Sequence, residues 1–559
     1  MVSSNNQPED RRFAGVINWC LCHPRWTLVL LTIGSMAPFF ARPFEIDDPL
    51  FVWTAQQIHL HPGNPYGFYI NWYDFAQPMW QVTQNPPLFS YYLAVAAAIF
   101  GWHEVGLHVA SLLPVVAVVL GTHRLAGLFC RWPMFAALAT LFVPGFILPG
   151  ISVMCDMLML AFWVWAVVLW VEGVRQDKLR KLAAAGMLAG LAVLTKYNGI
   201  CLIPLLAACG WLVKRRFGLW MGCLLIPVAF LCVSEWLSYS LYGQPHFIAS
   251  NQYSRLAQQT YAASKWTMLA HTLSFAGGCF AVGTFCLPLL WRKREFALLF
   301  IGALLVQTVN VMIHHADKIN PWIGPGGEVQ IMFWSIGGAG VLALALAEAW
   351  RRDPDSCLLA MWAAGIFAFS TFVYWTVNGR ALLPLLPVAA ILTTRRLEQK
   401  WPAWPAGATF ALVASAALSL LTAQADFQMA TAMRKDADQA VEKYHSGPGR
   451  LCYEGHWGFQ YYMETGGATL VANPDVLNPG DVLVIPGRAV NYILPDPEKM
   501  TLHEVIASPV FPWLATWNPV IHAGFYSSMV WGPLPFAFGS TTPQKVYVYV
   551  EGKPAGPAR

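Results

Sequence analysis

Charge is what this chain of 559 residues has least of: Asp, Glu, Lys and Arg make up 12% of it, against about 25% in soluble domains. Hydrophobic residues reach 56%, and the mean hydropathy is +0.46. A soluble enzyme of this length would have too little polar surface to cover itself, so that class is excluded. Disorder is excluded by the same composition. The net charge of +5 is dispersed with no long basic block, so nucleic acid is not an expected partner. Twelve cysteines are present, but they form no CxxC pair and lie mostly inside apolar stretches. Cys20 and Cys22 have no nearby His, and no disulfide framework is expected. The first 23 residues are polar or mixed and the first apolar run is long enough to span, so no cleavable signal peptide is expected. No internal repeat of fixed period and no inverted repeat is visible.

What the chain does have is a series of apolar runs near the ~20-residue length of a bilayer span. Thirteen stand out: 26–44, 105–128, 134–147, 157–174, 182–194, 199–213, 218–241, 266–291, 296–313, 331–350, 358–376, 381–392 and 406–421. A further stretch, 86–102, would make fourteen. The positive charges decide against it. Clusters at Arg11/Arg12/Arg25, Arg124/Arg131, Arg175–Lys181, Lys214–Arg216, Arg292–Arg294, Arg351/Arg352 and Arg395/Arg396/Lys400 should share the inner side. Consecutive clusters must then enclose an even number of crossings, which fails if 86–102 spans. Without it the inner clusters hold 20 Lys and Arg, and the outer loops hold 6: Arg42, Lys196, Arg255, Lys265, Lys318 and Arg380. Residues 86–102 are therefore expected to lie in or dip into the outer interface, which suits Tyr91, Tyr92 and Trp102.

The expected architecture is a mainly α polytopic membrane protein with its N-terminus inside and about thirteen spans in residues 1–424. Residues 425–559 form a small outside α/β domain. Strands are expected at 450–453, 468–471, 481–485 and 545–550, and a helix at 457–464.

The first outside loop, 44–105, opens with Glu45-Ile46-Asp47-Asp48 at the end of the first span. Acids at a span end are costly unless solvated or paired. They read either as an exposed loop start or as a general base or metal ligand held at the surface. Adjacent carboxylates also split their pKa values. Asp74 is a further acid in this loop, without a distinguishing setting. Asp156 stands alone between two apolar spans, which makes it a functional candidate or a structural hydrogen-bond partner. Lys196 and Arg380 fall on the outer side against the positive-inside bias. They read as anion ligands or as snorkelling cations. His314, His315 and Asp317 form an outer cluster of metal-ligating types, but adjacent histidines on one loop seldom suffice. Carboxylates and cations at one mouth of a helix bundle suit transfer from a phosphate-bearing lipid. Cations would hold the leaving phosphate while a carboxylate takes the acceptor's proton.

These residues resemble the protein O-mannosyltransferase and aminoarabinose-transferase branch of the GT-C glycosyltransferases, glycosyltransferase family 39. Asp47-Asp48 resembles its paired-acid signature, and Asn85-Pro86-Pro87-Leu88 its Lys-Pro-Pro motif. Asp156 resembles its second acid, Thr195-Lys196-Tyr197-Asn198-Gly199 its Thr-Lys-Gly element, and Arg380-Ala381-Leu382-Leu383-Pro384 its Arg-Tyr-Leu-Leu-Pro element. The five occur in order over most of residues 26–424. The resemblance implies a GT-C fold and an integral membrane glycosyltransferase with a polyprenyl-phosphate sugar donor. The acceptor would be a glycan, lipid or protein, transfer would invert the anomeric carbon, and the place would be the outer face of a bacterial inner membrane. Asp47 would be the general base or acceptor-orienting acid, supported by Asp48 and Asp156. Lys196 and Arg380 would contact the donor phosphate, and Asn85, Tyr197 and His456 would be further substrate contacts. No cofactor and no resident metal are implied, although the acids leave room for a divalent ion. Asn85 departs from the family's charged residue, which bears on the choice of sugar. His456 lies in a ring-rich tail segment, Gly455–Tyr462, that reads as a buried α/β core helix or as a glycan contact. The rival class is a transporter or flippase of a polyprenyl-linked or anionic substrate, which would hold its acids at mid-depth between repeat-related helices. A scaffold presenting the tail would leave Asp156, Lys196 and Arg380 unexplained.

Overall fold

The computed structural model describes residues 22–73, 75–317, 325–471, 476–488 and 500–551. Arg11, Arg12, Asp74 and Lys318 lie outside the described residues, as do the side chains of His314, His315 and Asp317. The helices in chain order are α1 Pro24–Met36, α2 Asp48–Leu60, α3 Leu88–Phe100, α4 Glu104–Ala126, α5 Pro133–Leu141, α6 Pro144–Gly150, α7 Asp156–Gln176, α8 Leu179–Thr195, α9 Leu202–Lys214, α10 Leu225–Tyr242, α11 His246–Tyr261, α12 Lys265–Cys279, α13 Lys293–Asp317, α14 Pro325–Ala349, α15 Pro354–Ala368, α16 Leu385–Lys400, α17 Ala406–Tyr444 and α18 Trp457–Thr465.

The chain is a mainly helical, multi-pass membrane protein with a small strand-containing C-terminal region. Every one of the thirteen expected spans is occupied by helix, but the count of thirteen is not carried by helix length. Among the described residues eight helices are long and apolar enough to cross a membrane, or nine if the bent pair α5–α6 is one span. The shortfall has local causes. Pro144 follows α5 and the pair bends by 62°, as proline at a helix start permits. The expected span 266–291 breaks after α12 into two short pieces. Helices α1, α8 and α16 have 13, 17 and 16 residues, so at 1.5 Å per residue they fall short of a ~30 Å hydrocarbon core. Helix α3 has 13 residues, as many as α1, so length alone does not separate it from the expected spans.

Small residues let the helices approach. A Cβ on Gly277 of α12 would collide with the carbonyl of Trp334, and one on Gly338 of α14 with that of Leu273. Close backbone contact of this kind replaces the hydrophobic drive that lipid cannot supply. At the end where the arginine clusters lie, acids neutralise part of the charge. Glu172 pairs with Arg124 and Lys181, Asp355 with Arg175, Glu348 with Arg395, and Glu295 with Arg396 and Lys400.

Beyond the bundle, β1 Tyr69–Asn71 and β2 Ala76–Pro78 form a hairpin in the first loop. The C-terminal region holds β3 Leu451–Tyr453, β4 Thr469–Leu470, β5 Val482–Pro486, β6 Met500–Ser508 and β7 Gln544–Glu551, in sheet order β4-β3-β5-β7-β6. Strand β3 is parallel to both its neighbours, and β7 is antiparallel to β5 and β6. The four expected strands and the expected helix are present. Strand β6 was not anticipated, because His503 and Glu504 interrupt its apolar alternation. Helix α17 runs without a break for 39 residues. It passes through position 424 and packs against β6 and β7.

Candidate active site

Asp47 is the N-cap residue of α2, Asp156 is the first residue of α7, Lys196 is the C-cap of α8, and Arg380 lies in the loop before α16. All four therefore sit at element ends. The fold joins them in one chain of contacts. Arg380 Nη2 lies 2.8 Å from Asp47 Oδ2, Arg380 Nη1 lies 3.9 Å from Asp156 Oδ2, and Lys196 Nζ lies 2.6 Å from Asp156 Oδ1. Arg380 Nη1 also lies 2.8 Å from Met154 Sδ. Burial works against both cations. Asp156 nonetheless carries Lys196 above its ordinary pKa, and Asp47 with Asp156 does the same for Arg380. Asp47 keeps 31% of its side chain exposed, whereas Asp156 is sealed at 1%. Asp47 is thus the carboxylate that solvent or substrate can reach.

The chain entering Asp47 is strained. Ile46 has φ of 54°, a left-handed conformation unfavourable for a β-branched residue. It is held from both sides. Asp48 Oδ2 accepts the Glu45 N–H at 2.9 Å, and Glu45 Oε1 accepts the Ile46 N–H at 3.3 Å. Glycine makes room for this segment, since a Cβ on Gly458 of α18 would strike the Phe44 carbonyl and the Glu45 carboxyl.

Asp48 has a different setting from its neighbour. It is fully buried. It pairs with Arg42 at 2.9 Å and accepts the Val153 N–H at 2.9 Å. Burial raises its pKa although Arg42 opposes the rise. Arg42, itself fully buried, also pairs with Asp426 of α17 at 2.9 Å. Asp426 accepts hydrogen bonds from Thr516 at 2.7 Å and from the Tyr526 hydroxyl at 3.1 Å. The Tyr526 ring lies 5.8 Å from the Arg380 guanidinium. One buried network therefore ties the acidic loop, the long helix and the C-terminal region to the Arg380 side of the centre. Burial pushes the Glu45 carboxyl up to about 8.

Asn85 and Tyr197 gather in a second cluster. The Tyr197 hydroxyl lies 2.8 Å from His246 Nδ1 and donates to Glu235 at 3.1 Å. His246 Nε2 meets the Thr83 carbonyl at 3.1 Å. The Tyr66 ring stacks on His246 at 5.3 Å, and its hydroxyl donates to the Asn85 carbonyl at 2.7 Å. Burial drives His246 down to about 4. This network fixes the loop before Pro86-Pro87 and sits directly behind Lys196. His456 is the buried N-cap residue of α18, with its ring 6.2 Å from that of Trp72. Among the described residues no group of three or more His, Cys, Asp or Glu is placed to hold a metal ion.

Several participants escaped the sequence reading. In sequence Arg42 reads only as an outer cation, and Asp426 belongs to no motif, although an acid in a small-residue helix is a signal in itself. Tyr73, Tyr253 and Tyr374 border the centre. Tyr73 and Tyr253 lie on the Asp47 side, and Tyr374 lies near Lys196 and Arg380. Tyrosines are common here, and no spacing marks these three.

The arrangement defines a multi-pass membrane protein with a charged centre at one end of its helices. Residues 84–239 match the family model described as dolichyl-phosphate-mannose-protein mannosyltransferase, which bears out the family resemblance read from the motifs. The curated proteins contain no match. Among solved structures, the Archaeoglobus fulgidus oligosaccharyltransferase tethered with an acceptor peptide is 14% identical, with a TM-score of 0.48 over 83% of this chain and 65% of that one. This chain thus spans about two thirds of that enzyme's length. ArnT from Cupriavidus metallidurans bound to undecaprenyl phosphate is 16% identical, with a TM-score of 0.42 over 84% of this chain and 93% of that one. The arabinosyltransferase EmbB from Mycobacterium smegmatis is 12% identical, with a TM-score of 0.30 over 79% and 43%.

Proposed function

We propose that this chain is an integral membrane glycosyltransferase that moves a sugar from a polyprenyl-phosphate donor to an acceptor hydroxyl or amine. Transfer takes place at the outer face of a bacterial inner membrane, with inversion. The observation that carries the reading is the linked series Asp47, Arg380, Asp156, Lys196. It puts two cations beside a reachable carboxylate, within a chain that carries the family match. In the reaction, Arg380 and Lys196 turn from their carboxylates to the donor phosphate. Asp47, relieved of its pairing, takes the proton of the acceptor. The acceptor oxygen or nitrogen forms a bond to the anomeric carbon as the bond from that carbon to the phosphate oxygen breaks. The electron pair leaves with polyprenyl phosphate, whose new charge the two cations hold. One in-line displacement inverts the centre. Asp156 keeps both cations in place, and Asp48 holds the Asp47 loop. The residues 425–559 are assigned to the same outer side as Asp47.

The reading is tested by purified protein carrying Asp47→Asn, with transfer assayed from lipid-linked sugars extracted from a strain lacking this chain. Transfer by wild type and loss of about 10²–10⁴-fold in the variant are expected, the usual worth of a positioned base. Wild-type rates in the variant overturn the assignment of Asp47. An unchanged pool of lipid-linked sugars and unchanged envelope glycans in the deletion strain overturn the activity.

A further inference from the structure

A cavity of about 640 Å³ lies apart from the charged centre, where the start of α4, the far part of α17 and helix α18 meet. Its walls combine aromatic rings with fixed charges. Trp102 and Tyr461 are partly exposed, and His103, Glu104, Arg434, Asp438, Glu442 and Thr465 supply the polar groups. The polar side is preorganised. Arg434 pairs with Glu104 at 2.8 Å and with Asp438 at 3.3 Å, and its guanidinium lies 5.0 Å from the centroid of the Tyr462 ring. The Tyr462 hydroxyl donates to Glu104 at 2.9 Å and accepts the Phe44 N–H at 2.9 Å. Tyr461 is braced edge-on by Phe44 at 5.3 Å.

We propose that this cavity binds a neutral or amine-bearing sugar unit of a glycan acceptor, away from the unit that is modified at Asp47. The volume falls in the ~300–1,000 Å³ range of small-ligand sites. Sugar rings offer apolar faces that pack on Trp102 and Tyr461, and hydroxyls that bond to carboxylates and guanidinium. Three carboxylates against one guanidinium disfavour an anionic ligand, and the polar floor disfavours a lipid tail. Position supports the same assignment. Phe44 lines the cavity and precedes Asp47 by three residues. Three residues extend at most about 11 Å, so the Phe44 and Asp47 backbones lie no further apart than that, on either side of the buried Glu45 and Ile46. This rests on the transferase reading for its acceptor role, but the binding itself does not need transfer.

The test uses the labelled full-length protein in detergent on an array of neutral, amine-bearing and acidic glycans, with undecaprenyl phosphate binding measured in parallel. Two variants at exposed positions probe the cavity. Thr465→Trp fills it, and Glu442→Gln removes one of its charges. Expected is binding of a neutral or amine-bearing glycan, at least 10-fold weaker in Thr465→Trp and several-fold weaker in Glu442→Gln, with lipid binding equal in wild type and both variants. No bound glycan, a preference for acidic glycans, or equal glycan binding in wild type and Thr465→Trp overturns the proposal. A wild type that binds glycan in this way but transfers no sugar refutes the transferase reading alone.

Discussion

Arg380 Nη2 and Asp47 Oδ2 meet at 2.8 Å although 333 residues separate them. The pair fixes the reachable carboxylate to the same guanidinium that approaches Asp156. In the proposed reaction a donor phosphate competes with two carboxylates for Arg380 and Lys196, which would make binding of the donor and release of the base one event.

Arg380→Lys tests that coupling. Lysine keeps the charge but loses the fork that reaches Asp47 and Asp156 at once. The expected outcome in steady-state kinetics is a raised KM for lipid donor and a kcat lowered by 10-fold or more. A variant with both parameters at wild-type values refutes the bridging role.

Lys196→Ala leaves Asp156 buried beside a single, more distant cation at 3.9 Å. Weaker binding of undecaprenyl phosphate and a lower Tm are both expected. Asp156→Asn combined with Lys196→Met should recover the Tm without recovering transfer, because it removes the unpaired charge but not the need for a phosphate ligand. Thermal unfolding and turnover of the same preparations distinguish the two effects.

Arg42 pairs with both Asp48 and Asp426, all three being shielded from solvent. Removing one partner of a buried pair typically costs about 3–5 kcal/mol. Arg42→Met should therefore lower the Tm substantially. Asp426→Asn retains shape and hydrogen-bonding capacity and should cost less. Scanning calorimetry that finds Arg42→Met as stable as wild type would show that the network is not a structural tie.

Glu45 imposes a pH dependence. Its carboxyl has an ordinary value of 4.5 and is pushed up to about 8 by burial. Between those values the folded chain holds a proton that the unfolded chain has released, so stability falls as pH rises and levels off above 8. Glu45→Gln should shrink the difference in Tm between pH 5.5 and pH 8.5. An identical difference in wild type and variant contradicts the burial of Glu45 as an acid.

Linear order revealed a good part of this molecule. Apolar runs mark the helices because lipid-facing and core-facing residues are both apolar. Asp47, Asp156, Lys196 and Arg380 were readable because charges are rare in such a background. The span count was less so, since a run of apolar residues does not disclose where Pro144 bends it or where α12 breaks. Asp47 and Asp48 look alike as neighbours, yet one faces outward and the other is locked under Arg42. Tyr197 adjoins Lys196 in sequence, but its hydroxyl belongs to His246 and Glu235.

Composition and periodicity thus dictate the solvent, the helices and the identity of the few charged groups, because each is a property of single residues and near neighbours. The pairing of those charges across hundreds of residues, the sealing of Asp48, and the cavity beside Phe44 were decided by tertiary packing. Each depends on which helix ends come together. A charge in low dielectric gains its partner, its exposure and its chemistry only from that meeting.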